Sequence, residues 1–237
     1  MKLKSIVNIG AVALVAGLIV GCSDSSNSSN SPDTPEMNDY EVTLTNLSNN
    51  QPLSPIAVVV HEASYIGWAI GATSTAGLEQ LAEGGDNSSF LEEARTANVL
   101  GSESGEGVVL PGSSSLVDLT VNRGSDLQLT VAAMLVNTND AFTGSTGIDL
   151  SSLSIGDELK VRLPIYDAGT EGNNELVGTI PGPADGGEGF NSERDDVNVV
   201  SRHSGVVSNV DGYADSVLEQ SHRFDSPIAQ LVVRRVN

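Results

Sequence analysis

At 237 residues the chain is long enough to enclose one sizeable core. Its formal charge of −20, from 31 acidic against 11 basic side chains, excludes the Lys and Arg clusters by which proteins hold nucleic acid or anionic lipid. Only 4% of residues are aromatic while glycine numbers 25, a composition of short strands and many turns that argues against a long-helix fold. Cations and basic surfaces are the partners such a charge leaves open.

The first element is an export signal. Lys2 and Lys4 precede an apolar stretch and a small residue before Cys22, the order of a charged, an apolar and a cleavage region. The stretch is shorter than a membrane span requires. Cys22 is the only cysteine, so no intrachain disulfide can form, and "IVGC" resembles the bacterial lipobox, in which that cysteine is lipidated. An ordinary signal peptide would leave a free reactive thiol in an exported protein. Ser23 after the cysteine leans towards the outer membrane by analogy with bacterial sorting. The boundaries follow: residues 1–21 are the signal peptide, 22–39 the lipidated cysteine and a Ser-, Asn- and Pro-rich flexible tether, and 40–237 the folded domain.

Within that domain "YEVTLTN" alternates apolar Tyr40, Val42 and Leu44 with polar neighbours, the period of a half-buried strand. Further strands are predicted at 56–61, 116–121, 127–136, 158–163, 175–180, 197–200 and 228–236, separated mostly by Gly, Pro, Asn or Asp clusters. About eight strands with close sequence neighbours predict an all-β fold, an antiparallel β-sandwich. Two short helices interrupt them: "TAGLEQLAEGG", stopped by Gly84 and Gly85, and "SFLEEARTA", where Ser89 and Glu92 have capping-box spacing. Both are expected to pack over one end of the sandwich.

Four stretches, "SPIAVVVHEASYIGWAIGATSTAGLEQLAEGG" (54–85), "AAMLVNTNDAFTG" (132–144), "YDAGTEGNNE" (166–175) and "RFDSPIAQLVVRRV" (223–236), resemble in order the spondin N-terminal domain of F-spondin, mindin and many bacterial secreted proteins. The resemblance implies a sandwich similar to calcium-dependent membrane-targeting domains, with a calcium ion at one end, and in animal members adhesion to matrix or receptors. There are departures: no cysteine follows Cys22, so no family disulfide carries over, and Ala141 stands where an aromatic is common, with Phe142 one place on.

Calcium takes oxygen ligands at flexible geometry. Asp167 and Glu171 bracket a glycine-containing turn, Asp140 lies in the second matching loop, and Asp149 is a weaker candidate nearby in sequence. Neither "DAGTEGNNE" nor "DGGEGFNSERDD" has EF-hand spacing. The latter, residues 185–196, reads as a mobile acidic loop. Enzyme signatures are missing: His61, His203 and His222 form no zinc pattern, and there is no Gly-x-Ser-x-Gly elbow or phosphate-cradling loop. His203 and Ser204 are adjacent, and adjacent strand residues point to opposite faces, which makes a coincidence of them and gives His203 a peripheral role. Trp68 reads as core.

The expected protein is therefore a non-catalytic, lipid-anchored binding or adhesion module of the cell envelope or surface, with calcium as cofactor and a glycan or protein ligand. Two alternatives stay open: an enzyme acting on envelope polysaccharide through its acidic loops, which would place paired carboxylates beside a sugar cleft, and a structural subunit of an envelope complex.

Overall fold

A computed structural model describes residues 36–237. The expected signal peptide, Cys22 and most of the tether lie outside these described residues. The elements in chain order are β1 (Met37–Asn46), β2 (Ala57–His61), α1 (Ala76–Gly84), α2 (Ser88–Thr96), β3 (Gly101–Ser104), β4 (Ser114–Asn122), β5 (Gln128–Met134), β6 (Ala141–Asp149), β7 (Glu158–Leu163), β8 (Ile165–Asp167), β9 (Ser201–Arg202) and β10 (Ala229–Arg235).

Two antiparallel sheets result, one in the order β4-β1-β10-β7 and the other in the order β3-β2-β5-β6-β8-β9. The alternation in β1 buries Tyr40, Val42 and Leu44, and β10 sets Leu231 opposite Leu44 and Val233 opposite Val42. These side chains meet Val58, Val60, Leu129 and Val131 of the second sheet in one apolar core, each contributing about 1.5–3 kcal/mol by leaving water. Its outer face gives the four-stranded sheet its strict in-and-out pattern.

The six-stranded sheet is different because both of its faces are covered. All five residues of β2 are buried, which is why "AVVVH" reads as an uninterrupted apolar run. On its second face Val59, Ala132 and Phe142 pack against Leu78, Leu81 and Phe90 of the two helices. The helices thus lie flat on a sheet face, where sequence reading put them over one end. The reason is that α1 and α2 each present an apolar stripe that needs a wide apolar partner. Trp68 belongs to the same layer, edge-on to Phe142 and Tyr166 with ring centroids 5.1 and 5.5 Å away.

Thr75 caps α1 by accepting the Leu78 N–H at 3.1 Å, and Gly85 ends it in the left-handed conformation at φ 69°. The expected capping box of α2 does not form. The cap lies two residues earlier, at Asn87, the helix begins at Ser88, and Ser89 instead bonds Gln80. "ELVGTI" and "VNVV" are not strands either: Gly178 takes φ 91°, and Leu176 and Val177 face solvent while Ile180 joins Val206 and Leu218 in a small separate cluster.

A buried hydrogen-bond chain ties β2 to the sheet. The Gly67 N–H donates to the Thr146 hydroxyl (3.0 Å), which lies 2.9 Å from the Thr130 hydroxyl, itself 2.8 Å from His61 Nε2; His61 Nδ1 is 2.7 Å from the Glu62 carbonyl. The Glu62 carbonyl can only accept, so a ring proton belongs on Nδ1, and Nε2 of the neutral ring accepts from the Thr130 hydroxyl. Burial pushes the imidazole pKa down. The unfolded chain then binds the proton more readily, so this contribution to stability is complete above about pH 6.5 and is lost as pH falls towards the lowered folded value. Melting wild type and His61→Gln in parallel between pH 7 and 5 should show the gap between them shrinking as the solution is acidified; a constant gap would remove His61 from the acid response.

Candidate metal centre

Pairing of β6 with β8 sets Ala141 opposite Asp167. Asp140, the residue before β6, therefore lies beside the turn that follows β8, and its carbonyl accepts the Ala168 N–H at 3.3 Å. That turn folds back over it. Asp140 is fully buried, and its Oδ2 accepts from the Thr170 N–H (2.8 Å), the Thr170 hydroxyl (3.3 Å) and the Glu171 N–H (3.2 Å). Its Oδ1 has no hydrogen-bond partner, the one such buried side-chain atom among the described residues. Asp167, also buried, accepts the Gly169 N–H on Oδ1 and the Asn173 amide on Oδ2, both at 2.7 Å.

The turn needs its glycine. Gly169 sits at φ 70°, and a Cβ there would lie 2.3 Å from the Val199 carbonyl oxygen. The Asn198 N–H donates to the Gly169 carbonyl at 2.7 Å, so the 195–200 segment is laced directly onto "DAGTE".

Glu171 takes a different direction. Its Oε1 accepts from Asn139 Nδ2 at 3.2 Å. Burial pushes its carboxyl up to about 7, with the Asn139 bond opposing and the charges of Glu83, Asp195 and Glu188 adding to the rise. Asp140 is also pushed up to about 7, by burial first and the Asp167 charge second, against the Thr170 and Glu171 hydrogen bonds. Asp140 and Asp167 thus share one environment while the Glu171 carboxylate faces a second acidic group. Among the described residues no three His, Cys, Asp or Glu side chains are grouped to hold a metal. Asp149 stands at the far end of β6, fully exposed and bonded to Ser151 N–H and Oγ at 2.8 and 2.6 Å. Nearness in sequence misleads here, because a nine-residue strand separates the two aspartates by its whole length.

Several residues of the site carry no charge and escaped the search for carboxylates. Asn137 accepts the Ala184 N–H on Oδ1, donates its side-chain amide to the Asn50 carbonyl and donates its backbone N–H to Gln51 Oε1. Asn139 spans from Glu171 to the Thr179 carbonyl and the Glu175 N–H. Both are buried. The signal was in "NTND" itself, since polar amides in a segment flanked by apolar runs must find partners when buried.

Nor is the 185–196 loop free. Arg194 grips the buried Glu79 through Nε and Nη2 at 2.9 and 2.6 Å, and the Asn191 N–H bonds the buried Glu83 at 2.9 Å.

A family model described as Spondin_N matches residues 26–176, a span that holds Asp140, Asp167 and Glu171. The chain belongs to the spondin N-terminal domain family. No curated protein matches it. The family is generally one of extracellular, non-catalytic binding modules. The match stops after "DAGTEGNNEL", yet β10 of this spondin domain pairs with both β1 and β7, so the last sixty or so residues complete the same sandwich. Among the described residues no helix is long and apolar enough to cross a membrane.

The residues of this spondin domain suit calcium by their chemistry: two buried carboxylates, no salt bridge to either among the described residues, and an oxygen of Asp140 left without a proton donor. Hard oxygen donors of this kind select calcium over soft metals.

Proposed function

We propose that this protein is an exported, lipid-anchored binding module, attached through Cys22 at the bacterial outer membrane, whose spondin domain holds calcium and contacts a glycan or protein ligand in adhesion at the cell envelope or surface. The observation that carries the calcium reading is the buried, unpartnered Oδ1 of Asp140 beside Asp167. A carboxylate oxygen out of water and out of reach of any donor costs stability unless a cation meets it. Asp140 and Asp167 would hold the ion, while Glu171 turns to Asn139 and faces the second acidic group. Bound there, calcium contributes positive charge that ends the repulsion between carboxylates. The protein's own part is to keep the "NTND" and "DAGTE" turns pressed together, and a ligand-binding rim built on those turns inherits their order.

The anchor reading rests on the sequence around Cys22. Two experiments test the proposal. Cys22→Ser should move the protein out of the membrane fraction or stall its precursor, and an unchanged membrane-bound mature product would refute the anchor. A glycan and peptide array probed with the mature protein should give saturable binding in calcium and loss of it in chelator. Turnover of a bound glycan would replace the binding module with an enzyme.

A further inference from the structure

His203 was expected to be peripheral, yet the fold places it behind the calcium candidate Asp167. The Gly205 N–H donates to His203 Nδ1 at 3.0 Å, and an amide cannot accept, so the ring proton belongs on Nε2. Nε2 lies 2.9 Å from Asn173 Oδ1. At the other end of the asparagine, Nδ2 is 2.7 Å from Asp167 Oδ2, and a carboxylate accepts only. Both ends of the chain therefore fix its direction: Gly205 N–H to His203, His203 Nε2–H to Asn173, Asn173 Nδ2–H to Asp167. Neither the imidazole tautomer nor the amide orientation is left free.

The consequence falls on Asp167. Its Oδ1 is already held by the Gly169 N–H and its Oδ2 by Asn173, so both oxygens are pinned while each keeps a lone pair for a cation. Without His203 the Asn173 amide loses the acceptor role that sets which of its ends faces Asp167. The imidazole is itself held, half-buried, with its ring 5.3 Å from that of Phe224. Phe224 packs against the main core on one side and the Ile180 cluster on the other. The segment beyond residue 200, which the family match does not cover, is thus linked by three side chains to a carboxylate in the part that it does.

We propose that His203 and Asn173 are positioning residues that set the calcium affinity of this domain by fixing the orientation of the Asp167 carboxylate. The inference rests on the calcium reading given above. Partners that orient a metal ligand from behind typically cost 10–100-fold in affinity when removed. Since Asn173 touches Asp167 and His203 acts through it, Asn173→Ala falls in that range and His203→Ala towards its lower end.

Calcium titration calorimetry on the metal-free mature protein tests this, with circular dichroism and melting curves to establish that each variant is folded. Weakened affinity in folded Asn173→Ala and His203→Ala, with partial recovery in His203→Gln because its amide can still donate to Asn173, is the expected result. A purely structural role would lower the melting point and leave the dissociation constant alone, so affinities within twofold of wild type in folded variants would overturn the proposal. A wild type that takes up no calcium would overturn the calcium reading and this inference together, which distinguishes the two failures. If the alanine variants do not fold, the ring nitrogens of His203 in wild type still decide: nitrogen NMR should show the proton on Nε2, and a proton on Nδ1 would break the chain at its first link.

Discussion

In chelator at pH 8 Asp140→Asn should melt about 2–4 °C above wild type, and in saturating calcium it should melt below it. The reversal follows from one carboxyl group. In the metal-free protein Asp140 is fully buried beside Asp167, with burial and that charge pushing it up to about 7 from an ordinary 3.8. Between those values the folded protein binds a proton that the unfolded chain does not, so metal-free stability falls as pH rises from about 4 to about 7 and is flat above. Glu171, also at about 7, adds to the same window. Asparagine removes the charge but leaves an amide where Oδ1 had no partner, which offsets part of the gain and leaves about 1 kcal/mol net.

Calcium, bound as proposed, would act in the opposite sense. An ion that binds only the folded state stabilises it by about 2.7 kcal/mol at a hundred times its dissociation constant. At roughly 2–4 °C per kcal/mol for a domain of this size, wild type should gain about 5–10 °C. Asp140→Asn should gain little, and magnesium, which holds its waters in a tight octahedron, should do much less than calcium for either protein. An ion at this site would compete with the proton on Asp140, so calcium affinity should rise from pH 6 to pH 8 and binding at pH 7 should release protons, which calorimetry in buffers of different ionisation enthalpy detects. Equal melting points for wild type in calcium and in chelator, once bound metal has been stripped, would end the calcium reading.

The second large effect is expected from Arg194→Ala, which should lower the melting point by about 6–12 °C. Glu79 is buried on α1 and receives the guanidinium bidentately, while Nη2 also reaches the Ser74 carbonyl at 3.0 Å and Nη1 reaches Asn198 Oδ1 at 2.6 Å. Removing one partner of such a pair strands a charge away from water, at a cost of about 3 kcal/mol. The loss is compounded because the buried Glu83 lies close enough for its charge to be felt at Arg194. Lysine restores the charge without the planar fork and should recover only part. The double variant Arg194→Met with Glu79→Gln should recover more than the single arginine deletion, since it removes the stranded charge along with its partner. Limited proteolysis should cut the 185–196 segment faster in Arg194→Ala. Unchanged melting and unchanged cleavage would mean that the loop holds its place without the ion pair.

Local periodicity was enough for the elements that face water on one side. Tyr40, Val42 and Leu44 alternate with polar neighbours and form β1, "ELKVRL" is β7 with the same bounds, and Thr75 with Gly85 brackets α1. These signals are local because a strand half in water must alternate and a helix must satisfy its ends. β6 escaped because "AFTGSTGID" buries its first four residues, has no apolar alternation and includes Gly144, whose missing side chain admits the Trp68 ring and the Val131 carbonyl. β3, "GSES", is a strand only because β2 offers it an edge. "ELVGTI" had the apolar residues of a strand and no partner to pair with. The same division runs through the site. Asp167 and Glu171 could be read from the sequence as oxygen donors around a glycine-containing turn, and the family resemblance of the "NTND" loop added Asp140 and made calcium the expected cation. Which of them share an environment was decided by the β6–β8 register, which brings residue 140 against residue 168 and sends the Glu171 carboxylate to Asn139 instead. Arg194 and His203 owe their roles to the same non-local pairing. Residue type and spacing fix what a side chain can donate or accept, and only chain closure over tens of residues fixes what it meets.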